Sequence, residues 1–267
     1  MSHNAVPSNV TVVHRDSSVT LRSLASLVVV NLRLFVREPA AAFFTLAFPI
    51  MLVLVFGTIY GNDPQEMFDG YGSVDVSMPA YTALILGFVG LLGVAINTSS
   101  YREAGVLRRF RATPLRPLVY IAADVTANLI MVLAGMAGMM IVGWGLYRVQ
   151  FEGLAASVFL AVILSGLAMC SVGYLIAAVA SNARTAQVIG MVVLYPMIFL
   201  SGATIPLEVM PDSVHSVSDF LPLTYVVRLL RGLWFGESWG SLILETGVLV
   251  GVLIVCTAIA VRLFRWE

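Results

Sequence analysis

Residues 101–117, YREAGVLRRFRATPLRP, hold five of the chain's fifteen basic residues, and all fifteen are arginine. A guanidinium is planar, permanently charged and able to fork onto carboxylates, which suits it to docking on a partner. Taken as a helix, Glu103 to Phe110 puts Val106, Leu107 and Phe110 on one apolar strip and projects Arg108 and Arg111 elsewhere; Thr113-Pro114 then stops the helix. The plainer alternative is a basic loop resting on anionic lipid heads. An apolar strip flanked by charge is better suited to another protein.

Other chemistry has little to stand on. A phosphate-binding P-loop needs a lysine that reaches the terminal phosphates, and the chain has none. His3, His14 and His215 have no acid or cysteine partner at ligand spacing, which argues against zinc or haem. No Ser/His/Asp order or paired carboxylates share one reachable site. Cys170 and Cys256 sit in apolar runs and read as small buried hydrophobes. Two acids do fall inside apolar runs, each at a cost of about 2.5–3.5 kcal/mol at mid-bilayer. Asp124 lies about two turns into the third run and Glu245 about two turns into the sixth, at opposite depths, so they do not form one proton relay. Structural roles are expected, with Asn128 a helical turn beyond Asp124 as its partner. The chain itself is expected to bind no cofactor, metal or nucleic acid; uphill transport would draw on a partner or an ion gradient.

The elements that carry these residues follow from composition. Of 267 residues, 59% are hydrophobic and 11% charged, with mean hydropathy +0.94, whereas a soluble domain is about a quarter charged. Crossing about 30 Å of hydrocarbon takes roughly 20 helical residues. The chain therefore reads as an all-α polytopic membrane protein with a single domain over 18–267 after a flexible polar tail, 1–17, that is no cleavable signal peptide. Six spans are expected at about 40–60, 79–99, 118–147, 154–180, 185–201 and 239–261, with a kink at Pro49 and close helix contact at Gly87, Gly90 and Gly93. Ahead of them, Leu21, Leu24, Val28, Leu32 and Phe35 recur at helical spacing while Arg22, Ser26, Arg33 and Arg37 take another face: an interfacial amphipathic helix. The alternative, a seventh span, must bury Arg33 and Arg37.

Arginines sort sharply along this scheme. Twelve fall on segments at one face and three (Arg148, Arg228, Arg231) at the other, where the first loop carries Asp63, Glu66, Asp69 and Asp75. The arginine-rich face is the cytoplasmic one, so both termini are expected inside.

Two stretches then carry a resemblance. YREAGVLRRFRATPLRP resembles the coupling-helix region of ABC-2 type transporter permeases: a glutamate, a glycine, hydrophobics, arginines and a Thr-Pro. PMIFLSGATIPLEVMPDSVHSVSDFLPLTYVVR, 196–228, resembles that family's signature after the fifth span. The resemblance implies the membrane subunit of an ATP-driven bacterial exporter in the plasma membrane, paired with a second permease copy or sibling and with two ATPase subunits that use ATP and Mg. It implies that Glu103, Val106, Leu107, Arg108, Arg109, Phe110 and Arg111 couple to the ATPase. It also implies a re-entrant outer hairpin bearing Pro206, Pro211, Pro222, Tyr225 and Arg228. Phe88, Leu92, Tyr195, Phe199 and Leu200 would line a pathway or outer gate, although each also reads as core. Their apolar character favours a lipophilic drug or lipid over a polysaccharide or glycolipid, for which more aromatic and polar residues would line spans one and five than TLAFPIMLVLVFGTIY supplies. Outside the family, the rivals are an ATPase-independent secondary transporter and a membrane anchor for a soluble partner.

Overall fold

A computed structural model describes residues 17–106, 117–205, 207 and 210–263, and among them all regular structure is helical. Among the described residues, six helices are long and apolar enough to cross a membrane: Phe43–Tyr60, Ser73–Glu103, Val119–Tyr147, Ala155–Val179, Ala183–Leu200 and Ile243–Leu263. These are numbered one to six below. The tail through residue 16 lies outside the described residues.

The second span is the axis of the bundle. Ala83, Leu84, Ile85, Leu86, Leu91 and Ala95 are at most 1% exposed, because spans one, three, four and five all pack on it. Its small residues permit this. A Cβ on Gly90 would stand 2.9 Å from Met169 Cβ, and one on Gly173 of the fourth span 2.5 Å from the Gly90 carbonyl oxygen. Two backbones thus touch where side chains are missing, a common way to pack helices without a hydrophobic drive between them. Gly87 instead faces Leu194 of the fifth span, and Gly93 meets only the Phe88 carbonyl of its own helix. The expected three-glycine contact is therefore divided. Residues Gly87–Gly93 form a π-helical stretch, in which each turn holds more residues, so positions three apart diverge.

The second span begins at Ser73, six residues earlier than its apolar run suggests, and holds Pro79 within it. Asp75, expected among the loop acids, is 1% exposed in its first turn. The sixth span begins later than expected, at Ile243, after a turn at 239–242. Glu245 consequently sits in the first turn, where a negative side chain meets the positive helix end, not two turns deep. In the first span a π-helical stretch, Phe43–Ala47, runs directly into Phe48–Tyr60, with Pro49 buried at the start of the latter. Proline has no N–H to give the preceding turn, which accounts for a widened turn beside it.

The N-terminal helix, Ser17–Arg37, packs along the third span. Leu24, Leu27, Val28 and Leu32 close over Ala123 and Ala127, while Arg22, Arg33 and Arg37 are exposed.

Candidate functional site

The second span stops at Glu103. Ala104 N–H donates to the Ser100 carbonyl at 2.9 Å, Gly105 N–H to the Arg102 carbonyl at 3.0 Å, and Gly105 has φ of 66°. This left-handed residue just past the helix end is a glycine terminator. Glu103 therefore closes the second span, and a helix expected to start there can begin only after the turn. Val106 is half-buried; Leu107, Arg108, Arg109, Phe110 and Arg111 lie outside the described residues.

Arg102 and Glu103 fasten the junction between spans four and five. Arg102 donates Nη1 to the Ala177 carbonyl at 3.0 Å and Nη2 to the Ala180 carbonyl. Glu103 Oε1 accepts the Ala183 N–H at 3.1 Å. A cation thus caps the negative end of the fourth span, and a carboxylate caps the positive start of the fifth. Asn182 completes that start by accepting the Thr185 N–H at 2.7 Å. Sequence spacing gave no sign of this arrangement, since the partners are 75 to 80 residues apart.

The pathway candidates divide. Phe88, half-buried in the π-helical stretch of the second span, stacks on Phe44 at 5.3 Å between ring centroids and meets Phe48 edge-on at 6.5 Å. Phe43 adds an edge contact to Phe44 at 5.4 Å. Two π-helical stretches, in spans one and two, meet at this aromatic cluster; such stretches recur at functional sites. The first span therefore supplies more aromatic surface than its sequence was expected to. Leu92 fills the space left by Gly190 of the fifth span, where a Cβ would be 2.6 Å from its Cδ1. Tyr195 and Phe199 are exposed, in line with Val188 and Val192 along one face of the fifth span, and Leu200 is half-buried. Tyr195 and Phe199 thus share one exposed face of the fifth span, whereas Leu92 packs against Gly190.

The opposite end is tied by a polar knot around Asp75. Its carboxylate accepts from Asn62 Nδ2 at 3.0 Å, from Gly72 N–H at 3.0 Å and from Gln150 N–H at 2.9 Å. Asn62 Oδ1 accepts the Val74 and Asp75 N–H groups at 3.0 and 3.1 Å, and its Nδ2 also reaches the Tyr147 carbonyl at 3.1 Å. Trp234 Nε1 donates to the Gln150 carbonyl at 3.1 Å, and Gly153 N–H donates to the Trp234 carbonyl at 2.9 Å. Tyr71 donates to Glu152 at 3.0 Å. Burial first, then that hydrogen bond, raises the Tyr71 phenol above its ordinary value, so it stays a donor at neutral pH.

The helix Pro222–Trp234 is built into this end. Pro222 opens it, and Leu223, Val226, Leu229, Leu230, Leu233 and Trp234 are almost wholly buried against spans two, four and six. Its outer corner is closed by Arg228, which pairs with Asp219 at 2.8 Å and lies 5.8 Å from the Tyr225 ring centroid. Tyr225 itself donates to the Asp219 carbonyl at 2.7 Å. Pro211 caps the short helix Asp212–Ser218; Pro206 lies outside the described residues. A cavity of about 380 Å³ opens between spans one and two, lined by Tyr60, Gln65, Ser77, Tyr81, Thr204 and Ile205 among others.

A profile described as "ABC-2 type transporter" matches residues 22–235, from the N-terminal helix through Trp234. The chain belongs to the ABC-2 type transporter family. Among its relatives, nodulation protein J of Rhizobium leguminosarum bv. viciae is 30% identical over 39% of this chain and 40% of its own length. The daunorubicin resistance ABC transporter permease protein DrrB1 of Streptomyces coeruleorubidus is 24% identical over 82% of this chain and 76% of its own. The putative transport permease ycf38 of Cyanophora paradoxa is 26% identical over 84% and 80%. The chain thus spans under half of the first and about three quarters or more of the other two. With six apolar helices, this ABC-2 protein is an integral membrane protein. The matched region takes in both the Arg102–Glu103 junction and the 196–235 segment.

Asp124, in the third span, is 6% exposed. It accepts from Asn128 Nδ2 at 3.4 Å, as expected, and more closely from Tyr174 of the fourth span at 2.7 Å. The tyrosine partner is 50 residues away and was not legible in sequence.

Proposed function

We propose that this chain is the membrane subunit of an ATP-driven exporter in the plasma membrane of a bacterium. It moves a lipophilic substrate outward by alternating access, powered by two separate ATPase subunits that bind ATP and Mg, and it pairs with a second permease copy. The arginine-rich segment is the docking point, on the cytoplasmic side with both termini; the 203–236 hairpin re-enters the outer leaflet as a lid; and the N-terminal helix lies at the inner interface. The names and family of its relatives support the permease role.

The observation that carries the coupling is the Arg102–Glu103 clamp. A push arriving at residues 106–111 reaches the fifth span through Glu103 and the Ala183 N–H, and reaches the fourth through Arg102. The fifth span presents Tyr195 and Phe199 on its free face, toward the second copy and the cargo. The aromatic cluster Phe44, Phe48 and Phe88 stands where spans one and two meet, and the cavity near Thr204 is the exit side.

Glu103→Ala tests this route separately from docking. It is expected to leave folding and ATPase association intact, since Glu103 is exposed and a lost helix cap costs only about 0.5–2 kcal/mol. Coupled transport should fall at least tenfold while the ATPase still turns over. Arg108→Glu with Arg111→Glu should instead abolish association. Wild-type transport by Glu103→Ala would remove the clamp from the mechanism, and an intact complex in the double variant would remove the docking assignment.

A further inference from the structure

A cavity of about 260 Å³ lies among spans two, three, four and six toward the Arg102 end of the bundle. Its walls are two-natured. Ile121, Val125, Leu167, Leu253 and Val261 make it largely apolar, and Thr98, Tyr120, Ser171, Tyr174 and Thr257 bring hydroxyls to it. Thr98 and Tyr174 each lie five residues from the ends of their spans at Glu103 and Val179, and Tyr120 is the second residue of its own. Leu167 lies twelve residues from Val179, or roughly 18 Å at 1.5 Å per residue. The Thr98, Tyr120 and Tyr174 hydroxyls thus lie toward the span ends, while Leu167 and Leu253 lie deeper within their spans.

Two observations among these hydroxyls ask for a hydrogen-bond donor with positive charge. Thr98 is 3% exposed, and its hydroxyl has no hydrogen-bond partner among the described residues although it lines the cavity. Tyr174 gives its proton to Asp124, which leaves the phenol oxygen lone pairs to accept a donor from the cavity. Asp124 accepts from Tyr174 and Asn128, and no ion pair with an arginine is formed by it among the described residues. A buried carboxylate that acts only as acceptor is completed by a cation, here through the intervening phenol.

We propose that this cavity binds a lipophilic primary amine, with its ammonium donating to Tyr174 and Thr98 under the charge of Asp124 and its chain running toward Leu167 and Leu253. Drug-sized pockets run about 300–1,000 Å³, so the cavity takes one alkyl chain or a compact ring system and is too small for a two-chain phospholipid. Under the export reading, on which this assignment of the ligand as cargo rests, it is a loading site at the inner leaflet.

The test needs no ATPase. Dodecylamine carrying a diazirine at its tail, photolysed with the wild-type chain in phosphatidylcholine nanodiscs, should label peptides containing Leu167 and Leu253, with unlabelled dodecylamine competing. The matching dodecanol and dodecanoate probes should label at least tenfold less. Tyr174→Phe and Asp124→Asn should each cut the amine label at least tenfold, and Leu253→Trp should block it. The head-group series on the wild type keeps the test sound if a variant fails to fold. Equal labelling by amine and alcohol, or an unchanged label in Tyr174→Phe, would overturn the proposal. So would loss of the label when phosphatidylethanolamine replaces phosphatidylcholine, because the amine site would then belong to bilayer lipid. A specific amine label in a chain that shows no ATP-driven transport would contradict the export reading and leave the site standing.

Discussion

Asp75→Ala is expected to destabilise the chain by about 3–6 kcal/mol, from three charge-assisted hydrogen bonds worth roughly 1.5–3 kcal/mol each, summed with allowance for shared partners. The residue is 1% exposed, and its removal leaves the Gly72 and Gln150 N–H groups without an acceptor and Asn62 Nδ2 with only the Tyr147 carbonyl. At about 2–4 °C per kcal/mol for a chain of this size, the apparent Tm in detergent should fall by about 10 °C. Tryptophan emission reports it directly, because Trp234 belongs to the same knot. Asp75→Asn keeps one acceptor oxygen and should lose about half as much. The knot joins the loop after span one, the start of span two, the link between spans three and four, and the 222–234 helix. Its failure should therefore loosen one whole end of the molecule while leaving the Arg102 junction intact. A Tm within 2 °C of wild type (about 1 kcal/mol) would show that the knot is ornamental.

Gly173→Val should be the most damaging change within the membrane. A Cβ there would stand 2.5 Å from the Gly90 carbonyl, 2.8 Å from the Leu91 carbonyl and 3.0 Å from Val94 Cβ. Two of the three obstacles are backbone and cannot turn aside, so the cost should reach or exceed about 3 kcal/mol, the top of the usual overpacking range. Separating spans two and four also displaces the axis on which the others pack. Poor recovery of monodisperse protein is expected. Gly145→Val is the control, since that position is exposed and a Cβ on it meets nothing within 4 Å. Equal recovery of both variants would refute the backbone contact.

What could be read from sequence was set by distance along the chain. Six apolar runs declare six spans, because hydrocarbon thickness fixes their length. The N-terminal helix was legible from its period, and Asn128 beside Asp124 from a single turn's separation. Span ends were misread where a polar residue is buried by partners far away: Asp75 looks like a loop acid until Asn62 and Gln150 are brought to it. The same limit applies to Glu103. Its place in an arginine-rich motif was plain, but its cap on the fifth span depends on how spans two, four and five converge. Phe43, Phe44 and Phe48 were passed over because aromatics in an apolar run look like ordinary lipid-facing residues until the π-helical stretches align them with Phe88. The Tyr174–Asp124 bond was hidden for the same reason.

The central claim is that another protein's ATP cycle drives this one. Reconstitution into proteoliposomes with the ATPase that co-purifies with the chain, loaded with a lipophilic dye such as rhodamine 6G, tests it most directly. Transport is predicted to require both subunits and ATP with Mg, to stop with an ATPase variant that cannot hydrolyse, and to be indifferent to imposed proton or sodium gradients. Gradient-driven transport by the chain alone, unchanged by ATPase and ATP, would contradict the account.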